Sequence, residues 1–154
     1  MPSHPGTNVS CDDVVRDCSD LPGDSLNGVY TINPPGELTD QPFDVWCDFT
    51  TTPGTPYTVF QRRHDGSQDF YLDWANYKNG FGTLSNEFWL GNSRLTRLTS
   101  SQWSSTAREL RIDMCHQDSG IYEEKCRYAA YSSFTIGNEA SNFMLGVNGF
   151  SFGA

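Results

Sequence analysis

Cysteine is the residue type here whose chemistry depends most clearly on its spacing. Five cysteines allow at most two bridges within the chain and leave one thiol over. None belongs to a Cys-x-x-Cys pair, which disfavours a zinc ribbon or a thioredoxin-like redox motif. The pattern favours disulfides and therefore an oxidising, extracellular compartment. The five are Cys11, Cys18, Cys47, Cys115 and Cys126.

Cys115 and Cys126 are close enough in sequence to be joined by a hairpin. Cys115 ends one predicted strand and Cys126 begins the next, so a turn between them predicts a disulfide. The alternative is a metal site formed by both cysteines and His116, with Glu123 or Glu124 completing it. That set lacks the spacing usual for structural zinc ligands, so the disulfide is favoured.

Catalytic residues find little support. The three histidines are His4, in a polar terminal segment, His64, at a turn, and His116, beside a cysteine. No G-x-S-x-G, H-E-x-x-H or phosphate-binding loop occurs. The sequence predicts a protein that is not an enzyme.

Acidic residues are concentrated near the N-terminus. A calcium loop would need the D-x-[DN]-x-[DN]-G spacing, which this cluster lacks, so a solvated acidic segment is favoured over a metal site. The cluster comprises Asp12, Asp13, Asp17, Asp20 and Asp24.

The charge balance excludes several classes of partner. The chain of 154 residues suits one domain, and its net charge is 10 − 19 = −9. Residues 1–48 hold nine acids and one base, or −8, and the remainder holds ten acids and nine bases, or −1. No basic patch for nucleic acid or anionic lipid is visible. No apolar run approaches the ~18 residues that a membrane helix needs.

The N-terminal segment has features of a tail. Residues 1–14 are acidic and polar, and Met1–Gly6 lacks the apolar region of a signal peptide. The chain is therefore expected to be a mature fragment or an incomplete piece of a secreted protein. Asn8-Val9-Ser10 is a glycosylation sequon and predicts a glycan on Asn8.

Alternation and turn residues predict several strands. Phe43, Val45, Cys47 and Phe49 share one face of a strand. Asp65-Gly66 predicts a hairpin turn. Strands are predicted over 26–32, 43–49, 57–63, 109–115, 125–136 and 143–147.

Two short helices are predicted between these strands. Phe70, Trp74 and Tyr77 recur at helical spacing, with Asp69 placed to cap the helix and Gly80 to end it. A second helix is predicted over Glu87–Leu98. Strands grouped around two helices, without β-α-β alternation, predict an α+β fold with an antiparallel sheet.

The aromatic residues of this region allow two interpretations. Helical spacing favours packing in the core over a platform on which a sugar would stack. The residues concerned are Trp74, Tyr77, Phe81, Phe88 and Trp89.

Long ordered blocks of sequence resemble the fibrinogen-related domain. Arg16-Asp17-Cys18, Phe43–Phe49 and Thr58–Ser67 match its pattern, and the match continues through residues 69–74, 77–82 and 87–92. The resemblance covers residues 15–148 and implies that residues 15–154 are the N-terminal part of such a domain. The expected fold is that of the fibrinogen C-terminal domain, without its C-terminal calcium and ligand-pocket region.

The resemblance also implies roles for the remaining cysteines. Cys18 and Cys47 correspond to the first disulfide of the family. Cys11 is then left over: it either cross-links subunits, or has lost its partner, or carries a small thiol. Calcium is implied for the whole family domain, but its ligand segment has no counterpart here, so no metal or ligand-pocket residue and no cofactor is assigned to this chain.

The function that the resemblance implies is recognition outside the cell. Ficolin- and tachylectin-like members predict binding of acetylated glycans in innate immunity. The alternatives are an extracellular protein–protein module or a truncated, inactive product. Because the family's final strand returns to the central sheet, the resemblance also predicts an unpaired edge, and a homo-oligomer formed through that edge or through Cys11.

Overall fold

Three small antiparallel sheets form the framework of the molecule. The structure is a computed structural model that describes residues 14–35, 41–100, 108–117 and 124–153. The strand orders are β1-β2-β3, β4-β6-β5 and β7-β8-β9. The strands are β1 Gly28–Ile32, β2 Phe43–Thr52, β3 Thr55–Val59, β4 Gln61–Arg62, β5 Phe81–Gly82, β6 Phe88–Trp89, β7 Arg108–Gln117, β8 Glu124–Ile136 and β9 Leu145–Gly153.

Two short helices accompany the second sheet, α1 over Trp74–Asn79 and α2 over Asn92–Leu98. Antiparallel sheets with few short helices confirm the predicted α+β class. The single sheet expected from the sequence is, in the described residues, divided into three.

The first sheet buries the alternating face of β2. Phe43, Val45 and Cys47 are buried, as their alternation predicts. They pack with Ile32 of β1 and with Leu95 of α2 in one core cluster. The first sheet and the second helix therefore share a core.

The first helix begins later than predicted. Its N-cap is Asp73, whose Oδ1 accepts the backbone N–H of Asn76 at 3.0 Å. Asp69 instead accepts the backbone N–H of Tyr71 at 2.8 Å in a local turn. The prediction of Asp69 as the cap was wrong because a nearer aspartate competes for the helix N-terminus. Gly80 ends the helix as expected.

The second helix was predicted too long at its start. Phe88 and Trp89 form strand β6, and the helix begins only at Asn92. Gly91 has a φ of 108°, outside the helical region, and a Cβ there would lie 2.7 Å from the carbonyl carbon of Asn79. The close approach of two chain segments at Gly91 therefore separates strand from helix.

The predicted strand over 57–63 is divided in two. β3 ends at Val59 and pairs with β2, whereas β4 pairs with β6. The carbonyl of Phe60 accepts the N–H of Leu90 at 2.8 Å, which marks the transfer between sheets. The Asp65-Gly66 turn follows β4, but the next strand, β5, does not pair with β4. The prediction of a hairpin at this turn was therefore wrong.

The third sheet is a long hairpin with a third strand added. β7 and β8 pair over Arg108–Gln117 and 124–134, and β8 pairs with β9 up to Gly153. The strands predicted over 109–115 and 125–136 are confirmed. The last strand begins and ends later than the predicted 143–147.

Candidate ligand-binding surfaces

One face of the third sheet contacts the rest of the molecule. The Arg111 guanidinium lies 4.0 Å from the Tyr128 ring centroid and 5.9 Å from that of Tyr57 on β3. Asp113 binds Arg111 at 2.8 Å and holds the pKa of Arg111 above its usual range. Arg111 therefore connects this inner face to the first sheet.

A ring stack makes a second connection. Phe134 of β8 is buried and lies parallel to Phe60, with ring centroids 5.7 Å apart and planes 11° apart. Phe60 also contacts the Trp89 ring edge-on at 5.7 Å. The three sheets therefore meet around Phe60.

The opposite face of the third sheet is exposed and mainly apolar, and it also carries the exposed Arg127 beside Met114. Strand register places Ile112 beside Ala129, Ala129 beside Phe152, and Tyr131 beside Phe150. We call these residues, with Met114, the outer face: Ile112, Met114, Ala129, Tyr131, Phe150 and Phe152. Leu110 shares this side of β7 but is buried.

Large side chains of the outer face are open to solvent. Phe152 is 80% exposed, Met114 62% and Phe150 61%. The Phe150 ring lies 5.4 Å from that of Tyr131 and 6.2 Å from that of Phe152. Contiguous apolar groups of this kind mark interaction sites on soluble proteins.

An open pocket of about 410 Å³ lies between α1, the second sheet, α2 and the start of β2. Asp44, Asn79, Phe81 and Arg94 are among the residues that line it. Arg94 is held by the carbonyls of Leu90 at 3.0 Å and Asn79 at 3.4 Å. Asp44 accepts the Thr31 hydroxyl at 2.6 Å. The pocket therefore combines an aromatic ring with groups that donate and accept hydrogen bonds.

The buried carboxylate of Glu87 binds the backbone of the turn that follows β4. Its Oε1 accepts the backbone N–H groups of His64, Asp65 and Gly66 at 2.6–2.9 Å, and its Oε2 accepts that of Gln68 at 2.8 Å. These donors lower the pKa of Glu87 to about 2. Glu87 is therefore a structural carboxylate that was predicted to lie in a helix.

Both predicted cysteine pairs form disulfides. Cys18 is bonded to Cys47, with Cα atoms 5.6 Å apart, and Cys115 to Cys126, with Cα atoms 4.1 Å apart. The second bond uses the sulfurs that the alternative metal site would need. Cys11 and Asn8 lie outside the described residues.

Asp17 does not fit the expectation that the acidic cluster near the N-terminus is a solvated segment. Asp17 is 8% exposed and pairs with Arg108 at 3.1 Å, so it is not part of a solvated face. Asp20 pairs with Arg16 at 2.9 Å, and Asp24 is exposed. Asp12 and Asp13 lie outside the described residues.

The prediction that the aromatic residues of 74–89 pack in the core is correct for some of them only. Phe88 is buried, whereas Trp74 is 52% exposed and contacts Phe143 at 5.7 Å. Packing in the core was therefore the wrong interpretation for Trp74. The remaining three, Tyr77, Phe81 and Trp89, are half-buried.

Two properties concern the described part of the chain only. There, no three His, Cys, Asp or Glu residues lie close enough to hold a metal ion. Across the same ranges, no helix has the length and apolar character needed to cross a membrane.

Comparison with known families decides the relationship of this chain to other proteins. The family described as "Fibrinogen beta and gamma chains, C-terminal globular domain" matches residues 14–154. The chain belongs to this family. As a fibrinogen-related chain, it is 44% identical to ryncolin-4 of Cerberus rynchops over 133 residues, 85% of this chain and 35% of that protein.

Other relatives support the same assignment. The chain is 38% identical to angiopoietin-related protein 7 of Bos taurus over 141 residues, 90% of this chain and 38% of that protein. It thus spans little more than a third of these relatives.

Solved structures share the fold over most of the chain. The fibrinogen-like globe domain of human ANGPTL2 superposes with a TM-score of 0.72 and 30% identity, covering 91% of this chain and 60% of that one. Lamprey fibrin D-dimer complexed with the peptide Gly-His-Arg-Pro-amide superposes with a TM-score of 0.73 and 34% identity. That match covers 96% of this chain and 44% of the fibrin chain.

The sequence did not indicate the outer face as a site. The predicted last strand ended at Val147, before Phe150 and Phe152. The Phe-x-Phe alternation was the available signal, since alternating large apolar residues indicate one face of a strand.

Proposed function

We propose that this chain is the recognition module of a secreted protein and binds an extracellular protein through the outer face. The observation that carries the proposal is the exposure of Met114, Phe150 and Phe152 on one face of a sheet. Aromatic residues and methionine are enriched where proteins bind one another. The two disulfides favour an oxidising compartment, and the module has no chemistry of its own.

A peptide library displayed on phage and panned on the oxidised full chain tests this proposal. The selected peptides should bind the Met114→Lys variant of the chain at least about tenfold more weakly than the parent chain, a loss of ~1.4 kcal/mol. Tyr71→Lys is the matched control, because Tyr71 is 96% exposed and lies outside the third sheet. Failure to select any clone, or clones that bind both variants equally, would overturn the proposal.

Recognition of acetylated glycans is the second candidate function, and the open pocket favours it. Asp44 offers an acceptor, Asn79 and Arg94 offer donors, and Phe81 offers a ring on which a sugar can stack. Pockets of roughly 300–1,000 Å³ with a few convergent polar groups are typical of small-ligand sites.

Retention on N-acetylglucosamine resin tests the glycan candidate. The oxidised chain should bind and elute with free N-acetylglucosamine or acetate, and Asn79→Ala should elute earlier while Tyr71→Lys behaves as the parent chain. Lack of retention by a chain with intact near-ultraviolet circular dichroism would rule out this candidate. Absence of that spectrum would instead support the truncated, inactive product.

Two covalent features complete the proposal. Asn8 carries a glycan and Cys11 links subunits. A mass increase on Asn8 that is removed by a glycosidase, and a dimer band that disappears on reduction, are the expected results in material from a secreting cell. An unmodified, monomeric chain on a non-reducing gel would contradict both.

A further inference from the structure

Arg127 lies at one end of the outer face, on the same side of the third sheet. Strand register places it opposite Met114, and both side chains are exposed. Two residues further along β8, Ala129 lies between Ile112 and Phe152 on the neighbouring strands. A cationic side chain therefore borders an exposed apolar surface.

Every other arginine of the chain has a partner within the molecule. Carboxylates bind Arg16, Arg108 and Arg111, backbone carbonyls bind Arg94 and Arg97, and aromatic rings contact Arg62 and Arg63. The Arg127 guanidinium makes no ion pair, hydrogen bond or ring contact with any residue that the structure describes. The arginine without an internal partner is thus the one beside the outer face.

The chemistry of this arrangement specifies what the outer face binds. A guanidinium group binds a carboxylate through two parallel hydrogen bonds, and arginine is enriched where proteins bind one another. We propose that the partner is a peptide segment that presents one carboxylate to Arg127 and, next to it, a large apolar side chain to the surface around Ala129. This inference rests on the proposed function, because it assigns the partner of the same surface.

Ala129 provides the space for the apolar side chain. It is the smallest residue of the outer face, and a group placed over it would contact Ile112 and Phe152 together. Alternate residues of a strand lie about 6.6–6.8 Å apart, so the partner's carboxylate and apolar group need roughly that separation. Residues two positions apart in an extended peptide have this spacing, and one turn of a helix comes close to it.

The Cys115–Cys126 disulfide fixes the backbone beside this site. The two half-cystines form the register pair adjacent to Met114 and Arg127. A covalent link between β7 and β8 restricts the separation of the two strands before any partner binds. Less conformational freedom is then lost on binding, which favours affinity.

The charge of the chain limits the partner to an isolated carboxylate. The net charge is −9, so a run of acidic residues on a partner would be repelled. Ligands with many phosphates need several cations, and Arg127 is the charged residue that the described register places on this side of the sheet. A single ion pair in contact is less affected by the rest of the chain, because salt screens charges more than about 8 Å away.

The carboxylate should control specificity more than total affinity. An apolar segment without it would cover Arg127 and leave a desolvated charge unpaired, which is costly. A segment with it replaces the water around the guanidinium by two hydrogen bonds. The outer face therefore discriminates against purely apolar sequences.

The peptides selected by phage display on the oxidised full chain give the first test. An aspartate or glutamate should recur at a fixed spacing from a large apolar residue. Replacement of that acid by its amide in a synthetic peptide should weaken binding at least about tenfold. Selected peptides without a recurring acid, including a set in which an aromatic residue takes its place, would overturn the inference.

Charge reversal at Arg127 gives the second test. Arg127→Glu should weaken binding of the acidic peptide at least about tenfold, and a peptide with lysine in place of the acid should recover binding to this variant. Arg127→Gln, which adds no repulsion, should weaken binding less. Arg63→Glu is the matched control, because Arg63 is exposed and lies outside the third sheet. Near-ultraviolet circular dichroism shows that each variant is folded.

The inference and the proposed function fail in different ways. Peptides that bind Met114→Lys as tightly as the parent chain would overturn the outer face as a binding site, and the inference with it. Peptides that need Met114 but bind Arg127→Glu as tightly as the parent chain would leave the proposed function intact and refute the carboxylate.

Discussion

Glu87 and His64 are joined through the backbone: Glu87 Oε1 accepts the His64 N–H at 2.6 Å. Three further backbone N–H groups bind the same carboxylate, which is buried. Although Glu87 lies more than twenty residues later in the chain, it determines the path of the turn after β4. No local signal around Asp65-Gly66 could have indicated this.

Glu87→Gln should lower the midpoint of chemical unfolding and flatten its acid dependence. Because the folded pKa of about 2 lies below the ordinary 4.5, ionised Glu87 stabilises the fold fully above pH 4.5. This contribution is lost as the pH falls towards 2. Unfolding curves at several pH values from 2 to 6 measure the effect. An unchanged slope between pH 4.5 and 2 in the variant would show that Glu87 is not the group responsible.

The two disulfides should differ in both stability and accessibility. Loop-closure entropy assigns about 3–4 kcal/mol to Cys18–Cys47 and about 3 kcal/mol to Cys115–Cys126. Cys18 and Cys47 are buried, whereas Cys115 and Cys126 are exposed. Mild reduction followed by alkylation and mass spectrometry should label the exposed pair first. Labelling in the opposite order would contradict the described burial.

Gly91→Ala should cost about 3 kcal/mol or more, because a positive φ and a 2.7 Å approach to Asn79 act together. Gly54→Ala is the matched control, since Gly54 has a φ of 79° and no atom within 4 Å of its ideal Cβ. It should cost about 1–2 kcal/mol. Urea unfolding of both variants gives the comparison. Equal losses would mean that the close approach at Gly91 contributes nothing.

The Phe60–Phe134 stack should couple the second and third sheets. A double-mutant cycle with Phe60→Leu and Phe134→Leu should give a coupling energy of about 0.5–1.5 kcal/mol. This coupling energy is obtained from the unfolding free energies of the parent, both single variants and the double variant. Additive losses would show that the rings occupy the core without interacting.

Much of the first sheet was evident from sequence alone. The alternation of Phe43, Val45 and Cys47 predicted a strand with one buried face, and the structure confirms it. Family blocks around Cys18 and Cys47 indicated the fibrinogen-related fold, and the family match confirms that relationship. These features depend on short patterns of neighbouring residues, so they can be recognised from the sequence.

The errors concerned residues whose structure depends on distant partners. Phe88 and Trp89 have helical spacing, yet they pair with β4 and β5 as a strand. Asp17 stands in an acidic run, yet Arg108 pairs with it from the third sheet. Local pattern fails in such places because tertiary contacts outweigh intrinsic preference.

The sequence by itself determined the family, the α+β class, the cysteine candidates and the net charge of this protein. Only the tertiary structure decided that Phe150 and Phe152 lie together on an open face while Phe134 is buried against Phe60. All three are phenylalanines in predicted or observed strands. Exposure depends on which face of a sheet finds a packing partner, and that partner comes from residues remote in the sequence.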